Sequence, residues 1–431
     1  MKTRPPRKSG PKIIRKLAEG GQGEVFLAER NGKLYALKLY NKSSATQEQK
    51  NIISYLVSTG VPVSSCADRL VWPFELIEIP GSKRFGYLMP LIDTDRYITL
   101  RDVKSRKAPH PGYAVMAEVC RQLAETFRAL HNAGHCYRDI SDNNFYFDPK
   151  IGDILICDND NCMVDQLEIG HIEGTAGFMA PEVMLGHASP STLTDQHSLA
   201  VLLFEAWHLH NPLHGLKEYN IGCFDAPAQE LIYGKEPVFI FDPKNRGNAL
   251  PNDAGYRIVP RHWNLLPIHM RRLFTRAFTK GLRDPAARIT ELEWMHAFQK
   301  LLNHLHACPS CGAENFWDPE ETGRQACWNK QCDLALPLKL FVKGKPANSI
   351  LAKPGKKLTT LHLGECSSSR LIGMTEPHPS DTNASILRNK TTDPWKATLA
   401  KQVSSIPEGK AVVLTPGLHL HIEGYELVVK R

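Results

Sequence analysis

No run of apolar residues in this chain approaches the roughly 18–20 that cross a bilayer. The nearest candidate, LAVLLFEAW at 199–207, has the length of a buried helix segment. The basic start, MKTRPPRKSGPK, is not followed by the apolar stretch of a secretory signal, so no membrane association is expected and the expected location is the cytoplasm. Internal repeats and low-complexity tracts are also missing. The 11 cysteines do not form the framework of a secreted disulfide scaffold. Four fall at 308, 311, 327 and 332, and the other seven are scattered through mostly apolar contexts, as buried free thiols are. Large charge of one sign is lacking too. The net +8 comes from the ends, with +5 in residues 1–12 and +6 in 333–431, leaving the middle at −3. A basic face built for nucleic acid is therefore not expected.

What remains is a 431-residue chain, 42% hydrophobic and 23% charged, with room for two to four soluble domains. Residues 13–40, IIRKLAEGGQGEVFLAERNGKLYALKLY, alternate apolar and polar positions around glycines. They predict strand, Gly-rich turn, strand, Asn-Gly hairpin, strand. A helix is predicted over 46–58, and two more strands over 69–92 around PGSKRFG. From 112 the period changes. Met116, Val119, Cys120, Leu123, Phe127 and Leu130 recur at helical spacing, with Gly134 as a stop. Further helices are predicted over 194–209, 264–281 and 290–306. Residues 210–262, rich in Pro, Gly and Asn, have the look of an ordered insertion.

Several short motifs carry chemistry. Gly20 and Gly23 of LAEGGQGEV sit in a hairpin turn, where missing Cβ atoms let backbone approach a phosphate. Lys38 of YALKLY lies in an apolar strand and needs a counterion. Glu48 on the predicted helix is the expected partner, since Ile52 and Leu56 share its face. YRDISDNN (137–144) sets Asp139 five positions before Asn144. Fourteen residues later, ICDND ends a predicted buried strand at Asp158. Each acid alone would read as a turn residue or cap. In this order they suit a base, Asp139, and two magnesium ligands, Asn144 and Asp158.

With GTAGFMAPE (174–182), TDQHSLAVLLFE (194–205) and GLRDPAARIT (281–290) downstream, the chain resembles the eukaryotic-type (Hanks-type) protein kinases over about 13–303. The resemblance implies a bilobal α+β fold, ATP as cosubstrate and Mg2+ (or Mn2+) as cofactor. It implies that Lys38 holds the α- and β-phosphates and Glu48 holds Lys38. It further implies a nucleotide site lined by Gly20, Gly23, Val25, Ala36, Met89, Pro90, Ile92 and Tyr146, an Asp195 buried at the start of the long helix, and an Arg288–Glu182 pair. Thr175 is expected to bond Asp139, and Arg138 to pair with Asp165, Glu168 or Glu173, removing any need for loop phosphorylation. Three positions depart from the family pattern: Tyr137 for His, Ser141 for Lys, and DND for D-F-G. The last suggests that the usual in/out flip is absent.

The cysteine block, CPSCG followed by CWNKQC, gives C-x2-C and C-x4-C. Thiolates of Cys308, Cys311, Cys327 and Cys332 suit a structural, tetrahedral Zn2+ site of zinc-ribbon type, whose loss is expected to melt the ribbon and spare the kinase fold. The expected division is a basic tail (1–12), an N-lobe (13–91), a C-lobe (92–303) with its insertion, a zinc ribbon (304–343), a linker (344–358) and a small all-β, sandwich-like module (359–431) for docking. With PVFIFDP and LRNKTTDPWKATL, the whole resembles a bacterial kinase subgroup of tellurite-resistance-like triads. That implies a metal-dependent phosphatase and a von Willebrand A-type protein as partners, beside a protein substrate. The expected activity is Ser/Thr protein phosphorylation. The alternatives are an ATP-binding pseudokinase scaffold or sensor and a small-molecule kinase, against which GTAGFMAPE weighs.

Overall fold

The computed structural model describes residues 10–165, 174–318, 327–329, 332, 337–364, 370–381 and 384–430. The chain divides into two compact units. One comprises Met1–Pro111, Gln122–Asn252 and Thr275–Leu292, and the other Gly112–Arg121, Asp253–Phe274 and Glu293–Arg431.

The first unit opens with a five-stranded antiparallel sheet. It contains β1 (Lys12–Glu19), β2 (Gly23–Arg30), β3 (Lys33–Tyr40), β4 (Glu75–Glu78) and β5 (Phe85–Met89), in the order β1-β2-β3-β5-β4. The β2–β3 hairpin turns at Asn31 and Gly32, φ +51° and +75°, a turn in which two positive φ values match the twist of the strands. Gly23 is demanded by a close approach, because a Cβ there would lie 2.3 Å from the Leu39 carbonyl oxygen. Nothing lies within 4 Å of a Cβ built on Gly20. One helix, α1 (Gln47–Thr59), is capped by Thr46 and buries Ile52, Ile53 and Leu56.

Helices dominate the rest of this unit and the parts of the second unit at Gly112–Arg121 and Asp253–Phe274. The helix Thr192–His208 begins with a Ser191/Thr194 capping box and is buried along nearly its whole length. The helix Tyr113–Asn132 stops before Gly134, φ +76°. Residues 210–252 are ordered by short helical turns and by Asn248, whose side chain donates to the Leu213 and Val238 carbonyls. The single helix expected over 264–281 is instead three, Ile258–Leu265, Ile268–Ala277 and Lys280–Arg283. Pro267 lacks the N–H that would continue the first.

In the second unit, the described residues of 337–430 build two antiparallel sheets sharing one apolar core that includes Leu340, Leu358, Ile372, Leu387, Trp395, Leu420 and Leu427. The stretch 344–358, expected to be a linker, is part of this sandwich. Lys345–Leu351 is an edge strand of the six-stranded sheet and Lys357–Thr359 an edge strand of the four-stranded one. Its Ile350 and Leu351 are buried, so the Lys, Pro and Gly composition concealed a packed strand. Lys339–Val342 belongs to the same sheet, which moves the start of the β module back from 359.

The sequence LRNKTTDPW closes on a buried polar knot. The Asn389 amide donates to the Asp393 and Ile406 carbonyls, its oxygen accepts from Thr391 N–H and hydroxyl, and Trp395 Nε1 donates to Thr391 Oγ1. Asn389→Ala would strand several buried groups. It is expected to lower stability of the module by about 2–4 kcal/mol, read as an earlier urea or thermal transition followed through Trp fluorescence. An unchanged transition would show that the knot is dispensable.

Candidate functional site

Strand register assembles one wall of the site. Val25 lies opposite Lys38, Lys38 opposite Tyr87, and Ala36 opposite Met89. Directly opposed residues share a face, as do residues two apart on one strand. Val25, Ala36, Lys38, Tyr40, Tyr87 and Met89 therefore face the same side of the sheet. Pro90 follows at the exposed end of β5 and Ile92 is half-buried. Tyr146 is half-buried on the short strand Phe145–Phe147, and burial pushes its phenol up to about 12.

Lys38 is buried among carboxylates. Its Nζ lies 2.8 Å from Asp160 Oδ2 and 3.3 Å from Asp158 Oδ1. Burial opposes its charge, but Asp160 and then Asp158 outweigh burial and raise its pKa. Glu48 is not its partner. That side chain is exposed on α1 and makes no hydrogen bond or ion pair among the described residues. The neighbouring Gln49 faces inward and donates to the Tyr40 hydroxyl at 2.9 Å.

The loop YRDISDNN is held by hydrogen bonds from several directions. Asp139 Oδ1 accepts from Thr175 N–H and Oγ1, both at 2.9 Å. Asn144 Nδ2 donates to the Asp139 carbonyl at 2.8 Å and to Asp139 Oδ2 at 3.0 Å. Burial raises the Asp139 carboxyl, against the lowering pull of Thr175 and Asn144. With its nitrogen committed, Asn144 has Oδ1 to offer a cation. Cys157 N–H donates to the Asn144 carbonyl at 2.9 Å, which fixes Asp158 beside it. Asp158 adopts a left-handed backbone, φ +51°, and its side chain is 39% exposed. The donor set of one amide oxygen and one accessible carboxylate fits a hard divalent cation that takes oxygen ligands.

Tyr137, where the family pattern has His, is fully buried. Its N–H donates to Asp195 and its hydroxyl to the Cys157 carbonyl. It thus ties the loop to the strand leading to Asp158. Arg288 makes two 2.8 Å contacts with Glu182 and also donates to the Gly281 and Leu193 carbonyls. Arg138 Nε donates to the Asn161 carbonyl. Asp165, expected near Arg138, instead accepts from Thr192 N–H and Oγ1, where a carboxylate complements a helix N-terminus. Glu168 and Glu173 lie outside the described residues.

Cys308, Cys311, Cys327 and Cys332 converge, their sulfurs all within 4.8 Å of one another. The Cys311–Cys327 separation is 3.8 Å, too long for a disulfide. It equals the edge of about 3.8 Å that a tetrahedron with metal–sulfur bonds of about 2.3 Å requires. Asn315 Nδ2 donates to Cys327 Sγ. Two acids of this segment cap helices: Glu314 accepts from Tyr113 N–H at 2.5 Å and Asp318 from Ile268 N–H at 2.5 Å.

Sequence reasoning missed Asp160, Gln49 and His131. Asp160 is adjacent to a named motif, but only the fold carries it to Lys38. His131 bridges Asp195 (3.1 Å) and Glu291 (2.8 Å). Burial would lower its pKa, yet those two carboxylates lift it to about 9. A pKa raised above the unfolded value of about 6.5 stabilises the fold fully below that value. The contribution, up to about 3 kcal/mol, is lost as pH climbs through 9. Denaturation of the full chain from pH 6 to 9.5 should show that decline, and His131→Gln should flatten it. An identical slope in both proteins would refute the assignment.

A family model described as protein kinase domain matches residues 12–236. Protein kinase YegI of Escherichia coli (strain K12) is 22% identical over 308 residues, covering 68% of this chain and 45% of that protein. Serine/threonine-protein kinase PknA of Mycobacterium tuberculosis (strain ATCC 25177 / H37Ra) is 30% identical over 218 residues, 47% of this chain and 48% of that protein. Serine/threonine-protein kinase PknD of Protochlamydia amoebophila (strain UWE25) is 25% identical over 230 residues, 46% and 23%. The chain thus spans less than half the length of each of these curated relatives.

Proposed function

The chain belongs to the protein kinase domain family, and we propose that it is an ATP- and Mg-dependent kinase phosphorylating Ser or Thr hydroxyls of proteins, its own included. The carrying observation is the bonded group of Asp139, Asn144 and Thr175, with Asp158 linked to it through the Asn144–Cys157 backbone bond. In this reading Asp139 orients the acceptor hydroxyl and takes its proton. Lys38 neutralises the α- and β-phosphates of ATP. Asn144 and Asp158 would hold magnesium, which offsets charge on the transferring phosphate. Val25, Ala36, Met89, Pro90, Ile92 and Tyr146 would enclose the adenine, with Gly20 and Gly23 in the turn above the phosphates. Tyr137 replaces the usual His as a structural tie, so its presence is compatible with catalysis. Names of relatives that include serine/threonine-protein kinases favour a protein acceptor.

Phosphate incorporation from labelled ATP with Mg2+, into the chain itself and a generic protein acceptor, tests this. Asp139→Asn and Asp158→Ala are each expected to lower incorporation about 100-fold or more. No incorporation by the wild type, with nucleotide still bound, would favour the pseudokinase reading.

The four cysteines are proposed to hold one structural Zn2+, which supplies a fixed tetrahedral cross-link. Because Glu314 and Asp318 cap helices beginning at Tyr113 and Ile268, loss of the ion should not be confined to the ribbon, as first expected. Elemental analysis should find one zinc per chain. Cys327→Ser should remove it and lower the melting temperature by several degrees, since each lost cap costs about 1 kcal/mol. Wild-type protein that holds no zinc as isolated, or a Cys327→Ser variant that melts at the wild-type temperature, would refute the site. A metal-dependent phosphatase and a von Willebrand A-type protein are proposed as partners, with the β sandwich as their docking surface.

A further inference from the structure

The interaction around Lys38 has an unexpected composition. One lysine faces two carboxylates of very different exposure. The Asp158 side chain is 39% exposed, whereas Asp160 is fully buried. A buried carboxylate without a counterion is costly, and Lys38 at 2.8 Å supplies it. The same Asp160 oxygen accepts the Tyr40 hydroxyl at 2.5 Å. Lys38 and Tyr40 are two apart on β3, so both reach the carboxylate from one face. Gln49 of α1 then donates to Tyr40. The helix that was expected to contribute a carboxylate contributes a neutral amide, one step removed.

The turn that carries Asp160 is fixed independently. Asn159 is buried, and its Nδ2 donates to the Ile156 carbonyl at 2.8 Å and the Val71 carbonyl at 3.0 Å. Val71 N–H in turn donates to the Ile156 carbonyl at 2.8 Å. Two consecutive polar side chains thus anchor DND, Asn159 to backbone and Asp160 to the lysine.

We propose that Asp160 is the positioning residue for Lys38, acting in place of a glutamate on α1, and that it leaves Asp158 free to bind magnesium. This rests on the kinase reading of the same site. With Asp160 present, Asp158 can turn to a cation without orphaning the lysine. Without it, Asp158 would be the remaining counterion, and Lys38 would compete with Mg2+ for that carboxylate. Displacement of α1 would then not by itself disarm the lysine, because no charge on α1 holds it.

The test uses the full chain and a fluorescent ATP analogue, with Mg2+ titrated, beside the phosphate-transfer rate. Asp160→Asn is expected to raise the Mg2+ concentration for half-maximal nucleotide binding about tenfold and to slow transfer about 100-fold. Glu48→Gln should leave both within about twofold, as an exposed substitution does. In a Lys38→Met background, Asp160→Asn should no longer shift the Mg2+ requirement, because the competing lysine is gone. Should Asp160→Asn fail to fold, Tyr40→Phe keeps both charges and is expected to shift the requirement about threefold in the same direction. A Glu48→Gln shift as large as that of Asp160→Asn (or Tyr40→Phe) would overturn the proposal. So would a shift that persists without Lys38, or no shift at all. Transfer by the wild type decides the kinase reading, whereas the Mg2+ dependence of binding decides the role of Asp160.

Discussion

One buried carboxylate, Asp195, sets the geometry on which the loop YRDISDNN depends. It accepts from the backbone N–H groups of Tyr137 and Arg138, at 2.5 and 3.0 Å, and meets His131 Nε2 at 3.1 Å. Arg138 sits at φ +74°, a conformation that costs a non-glycine residue on the order of 1–3 kcal/mol and persists only when its surroundings over-determine it. Asp195 does so by satisfying two consecutive N–H groups, and His131 is anchored from behind by Glu291 at 2.8 Å. The capping box at Ser191 and Thr194 fixes where the helix begins, and thereby where Asp195 stands. Asp139 follows directly, so its bonds with Thr175 and Asn144 inherit this anchoring.

The chemistry of the cleft then turns on how charge is distributed between two neighbouring acids. Asp158 and Asp160 are two positions apart, yet one is open to solvent and the other is sealed beneath Lys38 and Tyr40. In a low-dielectric interior the sealed pair interacts more strongly than an exposed one. Asp160 therefore acts as permanent structure, and Asp158 keeps the accessibility that a metal ligand needs. Tyr137 complements this arrangement. Its hydroxyl reaches the carbonyl of Cys157, so the residue before Asp158 is bonded to the residue two before Asp139.

Much of this was legible because spacing within a motif survives folding. Asp139, Asn144 and Asp158 lie close in sequence and are linked by local hydrogen bonds. Cys308, Cys311, Cys327 and Cys332 gather as their paired spacing implied. The hairpin, the sheet of five strands and the helices Tyr113–Asn132, Thr192–His208 and Glu291–His304 followed from period and turn residues, and Arg288 does meet Glu182. The partner of Lys38 was not legible, since it depends on the phase of a helix and on tertiary contact. Glu48, Ile52 and Leu56 share a helical stripe, but Ile53 is buried too. That rotates the inner face toward position 49, where the sequence has Gln. With no acid facing inward, the counterion comes from Asp160, over 120 residues away. The strand at 345–351 was missed for a different reason. Its lysine and proline suggested solvent, whereas Lys345 Nζ is satisfied by the Leu363 carbonyl.

A knuckle cross-linked through the four thiols, as proposed, would be useful at that point in the chain. So short a stretch cannot bury enough apolar surface to order itself. Cross-linking would fix its backbone, and a fixed backbone can present Glu314 and Asp318 to the orphan N–H groups at Tyr113 and Ile268. The β sandwich makes the reciprocal contact at the other end of a helix. Lys356 Nζ donates to the Leu302 and Leu305 carbonyls at the end of helix Glu291–His304, where a cation complements unpaired carbonyls. Buried His304 bonds the Ser349 carbonyl at 2.7 Å. Helix ends left uncapped would expose or bury unsatisfied groups. The segment around the four thiols and the sandwich supply those partners, which makes them part of the compact unit that contains residues 253–274 rather than appendages on a tether.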